Sequence, residues 1–131
     1  MSLIHSIAIL WLVYLAGMAT HMSLALLPLL SGFDVTEDSM KGRLPIKEKW
    51  MLMFFTIIPM LIIGVIFLTD HVTIRWANLI FSIVFTFMNF MHLLQHLKAR
   101  PIDNAQNILL GVLALLSLEL NYLSYNWVFS S

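Results

Sequence analysis

Residues 73–101 read "TIRWANLIFSIVFTFMNFMHLLQHLKARP". From Thr73 to Leu97 the run carries one charge, Arg75 near its start, and it stops where Lys98, Arg100 and Pro101 appear. A helix rising about 1.5 Å per residue needs roughly 20 apolar residues to cross a hydrocarbon core of about 30 Å, and this run is long enough. Working outward, three more stretches share its character: Leu3 to Leu30, Trp50 to Thr69 and Ala105 to Phe129. The first could be read as a cleaved signal peptide, but it lacks a basic leading region and is far longer than the apolar core of such a peptide, so a retained helix is expected. The predicted fold is an all-α integral membrane bundle. Residues 1–131 form one domain of four transmembrane helices, at about 3–30, 50–69, 73–97 and 105–129.

Composition agrees. Of the 131 residues 60% are hydrophobic and only 11% charged, against roughly 25% charged in soluble proteins. The partner this implies is a lipid bilayer. Seven basic side chains balance seven acidic ones, so no net field draws in nucleic acid. With no cysteine, disulfides, thiolate metal sites, iron–sulfur clusters and thiol nucleophiles are excluded. A metal or haem would have to rely on His, Met or carboxylate.

Basic residues predict orientation. Lys41, Arg43, Lys47 and Lys49 lie between the first and second segments, and Lys98 and Arg100 between the third and fourth. Six of the seven thus share one side, the cytoplasmic side by the positive-inside rule, and both termini are expected on the opposite side. The absence of a cleavable leader makes a bacterial inner membrane the simplest host. The 31–50 stretch, acidic first and basic later, reads as a solvated connection at the lipid surface or as a partner-docking loop. The short turn "TDHVTIRW" makes the second and third helices antiparallel neighbours, with Asp70 and Arg75 able to pair and Trp76 at the interface. Asp103 or Asn104 is available to cap the fourth helix, and Pro101 to end the third. An up-and-down bundle follows.

Helices in lipid recognise one another through small and polar residues, since lipid tails are as apolar as leucine. At 100° per residue, Tyr14, Gly17, His21, Ala25 and Pro28 share one stripe of the first helix. Asn107, Gly111, Ala114, Leu118, Asn121 and Tyr125 share one on the fourth. On the third, Ser82, Asn89 and His96 align, flanked by Thr86 and His92. The second helix has only Thr56, Pro59 and Gly64 to interrupt it, and is expected to face lipid with a kink at Pro59. By helix rise His21 lies about 10 Å, Asn89 about 12 Å and His92 about 8 Å from the cytoplasmic ends of their helices, with His96 at the interface. His21, Asn89, His92, His96 and Asn107 should therefore converge. Glu119 lies off the seam, and a carboxylate in hydrocarbon must be protonated, paired or turned toward another subunit.

His92 and His96, at i and i+4, place two imidazoles on one face, and imidazole ligates zinc, copper and iron. His21 at similar depth completes a candidate three-His metal site, or an axial pair for haem. The structural alternative is that these histidines bond across helices, His21 to Asn89 or Asn107, while His92 and His96 reach toward the headgroups. Met88 and Met91 suit copper(I) or plain core packing. No Walker loop, Gly-x-Ser-x-Gly or catalytic cysteine is present, so an enzyme is not expected. Three functions follow. The first is an accessory subunit of a membrane complex, or a homo-oligomer, with its polar seams and the intramembrane residues Asn89, Asn107, Glu119 and Asn121 serving helix association. The second is a His-ligated metal or haem protein, and the third a small proton-coupled transporter.

Overall fold

The computed structural model describes residues 1–30, 46–100 and 102–130. The chain there forms four helices: α1 (Leu3–Leu30), α2 (Ile46–Leu68), α3 (Val72–Lys98) and α4 (Asn104–Phe129). All four are long and apolar enough to cross a membrane, and no strand occurs among the described residues. The predicted limits hold to within a residue, except that α2 begins at Ile46, four residues early. Lys47, Glu48 and Lys49 are good helix formers and extend the apolar run by a charged turn. The acidic and basic connection and Pro101 lie outside the described residues.

Consecutive helices pack side by side, and α4 closes the ring against α1. That leaves α1 and α3 facing one another across a diagonal, where only side chains meet. The contacts advance in step along α1 and α3, from Trp11 with Asn78 through Tyr14 with Asn89 to His21 with His92, so these helices run parallel. On α3 and α4 they run oppositely, from Asn78 with Ser124 to Thr86 with Ser117. This is the expected up-and-down bundle.

The core lies on the diagonal. Trp11, Tyr14 and Phe85 pack edge to face at centroid distances of 5.3 to 6.0 Å, and Phe54 and Phe55 of α2 close on the same Phe85 ring. Edge-to-face packing sets the positive ring edge against the negative face, which fixes these rings as well as filling space. α2 packs on α1 and α3 and not on α4 among the described residues. Its helix runs unbroken through the buried Pro59.

The expected stripe on α1 holds at Tyr14, Gly17 and His21, whereas Ala25 is exposed. A Cβ at Gly17 would run into the side chain of Leu113, so α1 and α4 meet there as closely as a missing side chain allows. On α4 the buried face is rotated by about one residue from the expected one. Gln106, Leu110, Leu113, Ala114, Ser117, Leu120, Ser124 and Trp127 point inward, while Leu118 (47% exposed) and Tyr125 (54% exposed) point out. Gly111 has open space beside it. Leu and Trp suit the core as well as lipid, so the polar count alone placed this face wrongly.

The helix ends are tied at the α2–α3 turn. The Arg75 guanidinium donates to both Asp70 carboxylate oxygens at 2.7 Å, and its Nη1 reaches the carbonyls of Trp127 and Ser130 at 2.9 and 2.7 Å. One side chain therefore satisfies orphan carbonyls at the end of α4 while it pairs with the turn. The hydrogen bonds from Arg75 hold the Asp70 carboxyl below the usual aspartate range. His71 caps α3 by accepting from the Thr73 amide, and Asp103 caps α4 by accepting from the Gln106 amide.

Candidate metal centre

The three histidines singled out in the sequence meet. His21 projects from α1 and His92 and His96 from successive turns of α3, all at the end of the bundle where α3 stops and α4 starts. Nε2 of His21 stands 3.0 Å from Nε2 of His92. The ring centroids are 5.0 Å apart for His21 and His92, 5.1 Å for His21 and His96, and 4.7 Å for His92 and His96. One nitrogen from each ring falls within 4.8 Å of the other two. His21 is 7% exposed, and His92 and His96 are half-buried.

Local sequence explains the placement. The i, i+4 spacing puts His92 and His96 one above the other on α3. His21 follows Tyr14 by two turns on the stripe that faces the diagonal, so it arrives opposite them. The 3.0 Å contact uses only Nε2 of His21; its Nδ1, although buried, has no partner among the described residues. A hydrogen bond between two imidazoles sets an N–H of one ring against the single lone pair of the other, so an ion held by both Nε2 atoms would replace that bond, each ring then carrying its proton on Nδ1.

A metal bonded to two nitrogens at about 2.0–2.1 Å subtends roughly 90–100° when those nitrogens are 3.0 Å apart. Tetrahedral ligation asks for about 3.3 Å, a change of a few tenths of an ångström. The most distant pair of the three, within 4.8 Å, closes by up to about 1.5 Å, within the reach of side-chain rotation. Two axial ligands of a haem instead stand on opposite sides of the iron, about 4 Å apart, with a macrocycle between the rings. The spacing of His21 and His92 favours an ion held by neighbouring ligands.

The other intramembrane polar residues go elsewhere. Asn89 does not bond His21: its Oδ1 accepts from the Tyr14 hydroxyl at 3.0 Å, one level nearer the bundle centre. Asn121 donates to Thr86 Oγ1 at 2.9 Å and joins α4 to α3. Asn107 is half-buried with its Oδ1 unpartnered among the described residues. Glu119 is exposed on the outer face of α4, and no described residue bonds it.

A polar group that the sequence reading passed over lies at the opposite end. Trp11 Nε1 donates to Asn78 Oδ1 at 2.8 Å, and Asn78 Nδ2 donates to Ser124 Oγ at 2.8 Å. All three residues are buried. Asn78 stands four residues before Ser82 on α3, so extending the recognised seam by one turn would have found it.

A cavity of about 490 Å³ opens beside His21 and His92, between α1, α2 and α3. Comparison with known proteins finds no matching family model, no matching curated relative and no matching solved structure, so the functional reading rests on these side chains.

Proposed function

We propose that this chain is an integral membrane protein that binds a transition-metal ion through His21, His92 and His96. The observation that carries this reading is the convergence of three imidazoles from α1 and α3, with one nitrogen of each within 4.8 Å of the others. Neutral imidazole suits zinc, copper, iron and nickel alike, and three protein ligands leave a further position open toward the cavity. In the orientation favoured by the basic residues, the site lies in the cytoplasmic leaflet of a bacterial inner membrane.

The test compares metal content, by elemental mass spectrometry, of the gently solubilised protein and of a His96→Leu variant. The His96 side chain makes no hydrogen bond to another described residue, so this change removes a ligand and its ring contacts to His21 and His92 without breaking a hydrogen bond. About one ion per chain in the wild type, reduced at least tenfold in the variant, is expected. A metal-free wild type that also takes up no added zinc or copper overturns the reading.

A second reading, an accessory subunit or homo-oligomer, is supported by Glu119. Its carboxyl sits near the middle of α4 on an apolar outer face beside Leu115 and Tyr122, where an unpartnered acid is costly. On this reading a defined oligomer or complex, seen by native mass spectrometry, dissociates on Glu119→Leu. A wild type that stays monomeric and partner-free in mild detergent removes it. The transporter alternative has less support, because the aromatic cluster of Trp11, Tyr14 and Phe85 separates the histidines from the polar group at Asn78.

A further inference from the structure

Five of the nine methionines, Met18, Met22, Met51, Met88 and Met91, line the cavity that His21 and His92 also border. They come from all three helices around it. Met18 and Met22 stand one turn apart on α1 with His21 between them. Met88 is one turn before His92 on α3, Met91 adjoins it, and Met51 enters from α2. The remaining lining is apolar apart from Gln95, and it includes no carboxylate among the described residues.

Two arguments narrow the ion. Thioether and imidazole are soft or borderline ligands, whereas hard cations require oxygen. Charge is the second. With neutral ligands only, the whole ionic charge remains in an apolar surrounding, and the solvation cost of that charge grows with its square. A divalent ion therefore meets about four times the penalty of a monovalent one. The first-row transition ion that is both soft and monovalent is cuprous copper.

We propose that the cavity binds one copper(I) ion, held by imidazole nitrogens of the His cluster together with thioether sulfur from the methionine lining. This proposal rests on the metal-binding reading above and adds the identity of the ion and the sulfur ligand. Methionine also fills irregular gaps without binding anything, so the test must separate ligation from packing.

The full chain, purified anaerobically in detergent, is titrated with cuprous ion from a competing chelator and separately with zinc, and the copper-loaded sample is measured by X-ray absorption. The wild type is expected to bind one copper(I) with at least one sulfur neighbour in the first shell. Replacing Met18, Met22, Met88 and Met91 together by Leu keeps core volume. It should remove the sulfur signal and weaken copper(I) at least tenfold, with zinc affinity changed less than twofold. A nitrogen-only shell in the wild type, or copper affinity unchanged in the variant, overturns the copper(I)–thioether assignment and leaves the His site standing. A wild type that binds neither ion overturns both. The wild-type spectrum decides the ligand even if the fourfold variant does not fold.

Discussion

Two polar levels cross the same diagonal of the bundle, and they are built differently. At one end Trp11, Asn78 and Ser124 form a closed chain in which the indole donates to the amide and the amide donates to the hydroxyl, both at 2.8 Å. At the other, His21, His92 and His96 crowd ring against ring with one mutual hydrogen bond. Buried polar atoms left without a described partner follow the same division. Among the described residues five such atoms occur, and four of them, on His21, Asn89, Gln106 and Asn107, belong to the half of the bundle that holds the histidines. Buried polar groups in native proteins are normally paired, so a local excess of unpaired ones needs a reason. A satisfied network locks helices together; an unsatisfied one, beside a cavity, is suited to a ligand.

The largest effect expected from this contrast is on stability. Asn78→Leu leaves the Trp11 N–H buried without an acceptor and should cost about 1–3 kcal/mol, read as a lowered unfolding midpoint in detergent. His96→Leu, which breaks no hydrogen bond, should stay within about 0.5 kcal/mol. If His96→Leu destabilises as much as Asn78→Leu, the histidine level is structural packing like its counterpart and the contrast disappears.

A smaller effect sharpens the step between the two levels, where Gly17 lets α1 approach Leu113 of α4. Alanine gains roughly 1 kcal/mol over glycine in helix propensity, but at Gly17 it also overpacks against Leu113, at about 1–3 kcal/mol. At Gly111, with open space around it, only the gain applies. Gly17→Ala should therefore be less stable than Gly111→Ala by about 1–3 kcal/mol in the same unfolding assay. Equal midpoints would mean that Leu113 rotates away freely and that the close approach is not needed to hold the levels in register.

The number and limits of the helices, the Asp103 cap, the Asp70–Arg75 pair and the i, i+4 placement of His92 and His96 were legible in the residues, because each depends on neighbours a few positions apart. Tyr14, Gly17 and His21 were also placed on the correct side of α1, since a small residue and two polar ones on an apolar helix have few other places to go. The rotation of α4 was not legible. Leu118 and Leu120 are chemically alike, yet one faces out and the other in, because lipid and core have the same polarity and hydrophobic periodicity carries no signal between them.

Sequence by itself thus determined a four-helix, apolar, cysteine-free chain with one histidine pair on a common face. Only the tertiary structure decided that α1 and α3 lie across the diagonal, that His21 reaches His92 from 71 positions away, that Asn89 turns to Tyr14, and that Glu119 faces outward. Local spacing fixes which side chains share a helix face; the packing of four helices around one core fixes which faces meet.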